Sequence, residues 1–222
     1  MKDLSEAKQE LVKSLVKNKK FHQLEFEVNS LLLEKRSPFL LNLLGVSKIS
    51  KVPTSKKDLN ESLDLFKEAY LKDRTLIDAL FNYAEISIRL LKYDEAKDLL
   101  IEYLSKKKYD YKATLALARI HFYLGNMDDC LLNYKKIIDN NEANSKLWSA
   151  FLFTTNYTYK YNQKDYLNFC NKYSEKLEKF DEKILKKFQY EKNPKKIRLG
   201  FFSADLRTHS VAKFIEETLK IL

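Results

Sequence analysis

The sequence predicts a mainly α-helical chain: a solenoid of paired helices, followed by the first strand and helix of an incomplete α/β domain. Three observations predict it. The middle of the chain echoes itself at a spacing of about 34 residues. Three Gly and three Pro in 222 residues are too few for the turns of an all-β fold. The tail then abandons the helical period for a short, continuous apolar run.

The echo is clearest in its small and large positions. Ala84 returns as Ala118, Ala96 as Cys130, Leu100 as Tyr134 and Tyr103 as Ile137. The segment beginning Lys92-Tyr93-Asp94 is matched by Asn126-Met127-Asp128. Small residues let two antiparallel helices approach closely, and large ones fill the groove between neighbouring hairpins. This period and this order are the tetratricopeptide (TPR) signature.

The same pattern extends both ways. Residues 4–17 and 21–35 form an apolar-periodic pair ending before Pro38, a degenerate capping repeat. Leu40 to Gly45 begins a first helix, and Ser62, Phe66 and Ala69 mark the second. Between them, Lys51 to Lys56 reads as an inserted loop. Downstream, Ser145 to Tyr157 opens a further unit with the only Trp, Trp148, and residues 163–190 continue as charged amphipathic helix. The organisation expected is a repeat region over 1–157, a connecting helix and basic linker over 158–193, and a distinct segment over 194–222. Stacked hairpins bury what one hairpin cannot, and leave a concave surface that suits an extended peptide. Asn82 falls on that inner face in the repeat register, with Ala116 and, approximately, Asn42. His121 also lies on a first helix, where a lone His is usually a packed or surface residue.

Asn193-Pro194 ends the helical region, because the residue before proline is pushed from helical angles. Ile197, Leu199, Phe201 and Phe202 then read as a strand buried on both faces. Val211, Phe214, Ile215, Leu219 and Leu222 follow on one helical face. The loop between them carries Ser203, Asp205, Arg207, Thr208, His209 and Ser210. Such a loop would lie at the carboxyl end of a parallel strand, where open α/β sheets bind ligands. A plain capping loop fits the same residues. A strand needs partners for its backbone, so the chain is expected to be the front part of something larger, or to borrow a sheet.

Composition narrows the function. The net charge of +10 is diffuse, with 31 acidic residues mixed among 41 basic ones, apart from a basic stretch from Lys176 to Arg198. A solvated surface explains this better than a nucleic-acid groove, which needs a tighter stripe with interleaved aromatics. Cys130 and Cys170 show no ligand spacing and fit a reducing compartment as small core residues. There is no apolar signal segment, and no apolar run near the ~18 residues of a membrane span. The protein is expected in the cytoplasm, away from membranes, with no metal cluster and no Gly-rich phosphate loop.

The segment from Ile197 to Glu216 resembles the protein O-GlcNAc transferase family, including its SPINDLY-like members, whose catalytic region opens on a segment similar to RIGYVSxDFRxHxVxYFLExxL. Phe151 to Tyr157 is also similar to the phrase that closes the last repeat in bacterial members. The resemblance implies a TPR arm joined to Rossmann-like lobes, and transfer of a sugar from a UDP donor to Ser or Thr hydroxyls without a metal. It makes His209 the active-site histidine, a base for the acceptor hydroxyl, with Asp205, Arg207 and Ser210 supporting the loop. Lys213 stands where some members carry a second histidine. The donor-binding lobe is not in this sequence, so the chain is expected to be inactive unless a complementing catalytic chain supplies it. The other reading is a TPR scaffold that binds a protein or peptide and performs no chemistry.

Overall fold

The computed structural model describes residues 6–50, 52–177, 200, 203, 205 and 207–221. The chain divides into two compact units, Met1–Lys179 and Phe180–Leu222. In the first, five helical hairpins follow one another: α1 (Glu6–Lys17) with α2 (Phe21–Glu34), α3 (Pro38–Ile49) with α4 (Lys56–Lys72), α5 (Ile77–Arg89) with α6 (Tyr93–Lys106), α7 (Tyr111–Tyr123) with α8 (Met127–Asp139), and α9 (Ser145–Thr155) with α10 (Gln163–Leu177). Each helix packs on the next in the chain, and the first helix α3 also reaches the first helix α5. Contacts confined to neighbours make this a solenoid.

The residues that carry the echo make the close approaches. Ala84, Ala96, Ala118 and Cys130 are fully buried, and Leu100, Tyr103, Tyr134 and Ile137 fill the spaces between helices. In the second hairpin the small residue is Gly45, where a Cβ would lie 2.6 Å from the Phe66 ring. Ser62 donates its hydroxyl to the Gly45 carbonyl at 3.2 Å across that crossing. Trp148 is buried in α9 and stacks on Tyr173 of α10 at 5.8 Å, while Phe151 meets Phe169 edge-on at 5.0 Å.

Sequence signals also set the helix ends. Ser37, Asp110 and Asn144 cap α3, α7 and α9 by accepting backbone N–H bonds from Leu40, Ala113 and Leu147. Ser55 and Asp58 form a reciprocal capping box at the start of α4. Lys19, Leu91, Gly125 and Asn141 hold positive φ just beyond α1, α5, α7 and α8. The paired bonds Asn126 N–H to His121 carbonyl and Gly125 N–H to Phe122 carbonyl show the reason: each end closes as a Schellman turn, which requires one left-handed residue.

Ion pairs add cross-links between hairpins. Arg36 grips Glu68 through two bonds of 2.8 and 2.6 Å, and Lys48 lies between Glu25 and Glu61 at 3.4 and 2.6 Å. The Arg36 hydrogen bond holds the Glu68 carboxyl below its ordinary value despite partial burial.

The expectation of an α/β tail is corrected. Among the described residues every regular element is an α-helix and none is a strand, so the described fold is all-helical. Of the segment read as a strand, Ile197 to Phe202, only Gly200 is described, in irregular backbone; the rest lies outside the described residues. The physical reason is pairing: an apolar run becomes a strand only against a neighbouring ladder, and no described element offers one. The second unit contributes α11 (Ser210–Ile221), amphipathic as expected, yet none of its described side chains is buried and Phe214 is largely exposed. The helix read over 163–190 is described as far as Leu177, and the remainder lies outside the described residues. Cys130 is a core residue, but Cys170 is only half-buried.

Candidate peptide groove

The first helices α5, α7 and α9 repeat one register every 34 residues, and α3 joins it at a spacing of 40, so corresponding residues stack along one face. Asn82 on α5 donates its side-chain amide to the Asn42 side-chain oxygen of α3 at 2.9 Å. Asn42 is buried and Asn82 half-buried, and each links its helix to the other. In the next two first helices the Asn82 position is held by Ala116 and Ala150, both half-buried, so the face opens where the amides end.

There the structure brings together residues that the sequence reading passed over. A cleft of about 190 Å³ lies between α7 and α9, lined by Arg119, Phe122 and Tyr123 from α7, Ala150, Phe153 and Thr154 from α9, and Tyr134 of α8. Its rim is aromatic and exposed: Tyr123 at 63%, Phe153 at 54% and Tyr157 at 55%. The rings form a chain. Tyr93 stacks on Tyr123 at 5.2 Å, Phe122 meets Phe153 and Tyr157 at 6.5 and 6.4 Å, and Phe153 meets Tyr157 at 5.2 Å. Single exposed apolar residues are ordinary, but a run of aromatics around a cleft is a feature of interaction sites. The signal was present in the repeat: Tyr123 and Tyr157, like Arg119 and Phe153, are one period apart.

The electrostatics are simple. Burial pushes the Tyr134 hydroxyl up to about 12, partly opposed by the charge of Arg119 close by. Burial likewise pushes the Cys130 thiol up to about 11, which leaves it an inert packing group. His121 points to the other side of α7: it is buried, its Nδ1 lies 3.9 Å from an Asp129 carboxylate oxygen, and burial holds its pKa below the ordinary value.

The loop residues singled out from the sequence lie in the second unit. His209 directly precedes α11, is exposed, and accepts the Val211 N–H at Nδ1 over 3.3 Å. The same nitrogen is 4.0 Å from an Asp205 carboxylate oxygen. Asp205 takes part in a local turn, donating its N–H to the Ser203 hydroxyl and accepting from Arg207 N–H at its carbonyl. Arg207 and Ser210 are exposed. The structure thus brings His209 and Asp205 together, with His209 in the role of a helix-capping side chain. Among the described residues no group of three or more His, Cys, Asp or Glu could hold a metal ion. No described helix is long and apolar enough to cross a membrane.

No protein-family model matches the sequence, and no curated protein is significantly similar to it. Solved structures do match. MamA from Desulfovibrio magneticus RS-1, residues 41 to the end, superposes with a TM-score of 0.65 at 13% identity, covering 81% of this chain and 98% of that one. MamA from AMB-1 gives 0.66 at 14% identity over 80% and 93%. A further MamA structure gives 0.65 at 15% over 81% and 94%. At this identity the likeness establishes the TPR-type helical fold and nothing finer, and it lends no support to membership of the O-GlcNAc transferase family.

Proposed function

We propose that this chain is a TPR-type scaffold that binds a partner protein through an extended peptide segment lying along its first helices. The observation that carries the reading is the exposed chain of rings from Tyr123 through Phe153 to Tyr157 around the α7–α9 cleft. Aromatic side chains left in water along a solenoid face gain from being covered by a partner. The matched MamA structures support the fold on which the reading depends. A cytoplasmic setting goes with it, since Cys130 and Cys170 are free thiols.

A selection from a random peptide library on the immobilised protein tests this. Enriched peptides are expected to bind the native chain and to lose roughly tenfold or more in affinity to a Tyr123→Ala, Phe153→Ala double variant with unchanged helicity. Peptides that bind both proteins equally would place the site elsewhere.

A second reading keeps the tail segment in view. The sequence from Ile197 to Glu216 favours it: by that resemblance the chain is part of a sugar transferase that takes a UDP-sugar donor, with His209 as base and a complementing chain supplying the donor site. Labelled UDP-GlcNAc, offered with and without candidate catalytic chains, decides it. Transfer that His209→Ala abolishes would favour the enzyme; no transfer with any chain would end the reading.

A further inference from the structure

We infer that the segment held in the α7–α9 cleft is an acidic peptide carrying an aromatic or large aliphatic anchor. This deepens the scaffold reading and rests on it. The charges around the cleft select the ligand class. Arg119 stands in the lining, exposed, and close enough to act on the Tyr134 hydroxyl. In the repeat register Lys112 and Lys146 share one row of the same two first helices, and both are exposed. Of the nearby carboxylates, Glu95, Asp94 and Asp110 pair with Lys92, Lys97 and Lys107, the last at 2.7 Å. Beside Tyr157 at the start of α8, Asp128 accepts from the Thr158 hydroxyl and Asp129 faces His121. The inner faces of α7 and α9 therefore offer three cations and no acidic side chain. In α5, the same rows carry Asp78 and Glu85, with the cation Arg89 in the row of Tyr123, so the positive charge concentrates toward the end of the groove that bears the aromatics.

The apolar part selects an anchor. The cleft is the size of one side chain, floored by half-buried Ala150 and buried Thr154, and walled by Phe122 and Phe153. A ring or branched chain inserted there leaves flanking carboxylates within reach of Arg119 and the two lysines, whose attraction speeds encounter and fixes register. A second copy of this chain is a poor occupant, because its net charge of +10 repels the same field. Three separated cations are also too few for a nucleic-acid backbone, whose recognition needs a continuous basic track.

Fluorescence anisotropy on the full chain tests the inference with four labelled probes. These are a short peptide with one Phe flanked by Asp and Glu, the same peptide with Lys for each acid, the acidic peptide with Ala for Phe, and single-stranded oligo(dT). The first probe is expected to bind and to weaken with added NaCl. Arg119→Glu should cost it roughly tenfold or more, and the Phe-to-Ala exchange in the peptide a similar factor. Lys67→Glu, the same charge change at an exposed site on α4, should leave binding unchanged. If the lysine peptide binds equally well, or Arg119→Glu has no effect, the ligand class is wrong while the scaffold reading stands. If the oligonucleotide binds more tightly and displaces the acidic peptide, the cleft serves nucleic acid instead. Failure of every peptide, together with failure of the library selection, would remove both readings.

Discussion

Gly45 sits where α3 comes closest to α4, against a fully buried Phe66. An added methyl at 2.6 Å from the ring has nowhere to go, because the ring itself is enclosed. Gly45→Ala is therefore expected to destabilise the protein by about 1–3 kcal/mol, the usual cost of overpacking, read from a urea-unfolding midpoint. His121 makes a different residue-scale prediction. Its folded pKa lies below the ordinary 6.5 because burial disfavours the charged form, with Lys97 adding repulsion and Asp129 opposing it. The unfolded chain then binds the proton first, so stability is complete above about 6.5 and is lost as pH falls through that value toward the folded pKa. Wild type should show a falling midpoint across this range, and His121→Gln a flatter profile; parallel profiles would remove His121 as the source.

For the elements, the informative positions are the ends. The Asp110 side chain accepts the Ala113 N–H at 3.0 Å and also pairs with Lys107, so the start of α7 depends on it. Asp110→Ala should cost about 1 kcal/mol, with Asp110→Asn recovering most of it if capping rather than charge is the cause. At the other end of α7, Gly125 has open space around a Cβ but φ of +78°. Gly125→Ala thus isolates backbone conformation from packing, and about 1 kcal/mol of destabilisation is expected from equilibrium unfolding. The turns at Leu91 and Asn141 tolerate their side chains because the Schellman bonds around them close the same hairpin geometry.

At the scale of the whole molecule, a solenoid transmits stability only between neighbours. Leu100 lies in the central core whose buried residues come from α3 through α7, whereas Val12 belongs to the terminal cluster whose buried residues come from α1 to α3. Leu100→Ala should destabilise all the central hairpins together by about 2–5 kcal/mol, read from equilibrium unfolding. Val12→Ala should instead free the α1–α2 hairpin, seen as faster hydrogen exchange there with protection of α5 to α8 unchanged. Equal loss of protection everywhere would mean that the stack unfolds as one block.

How much of this was legible beforehand follows from what each inference needed. The hairpin register and the close approaches at Ala84, Ala96, Ala118 and Cys130 were readable, because periodic burial is a local property written into residue spacing. The aromatic packing of Trp148 on Tyr173 was not, since it depends on how α9 meets α10. The groove was half-readable: the register placed Asn82 on the inner face, but its bond to Asn42 depends on how adjacent hairpins rotate. The cleft was missed because Arg119, Tyr123 and Phe153 are unremarkable one by one and become a site only when α7 and α9 stand side by side. The tail misled the reading for the converse reason. An apolar run such as Ile197 to Phe202 announces burial, but whether it becomes a strand depends on a partner that spacing cannot supply. By itself the sequence determined the helical repeat, since each turn carries its own signals; the tertiary structure decided where aromatics and cations from separate hairpins converge, since convergence is a matter of packing between them.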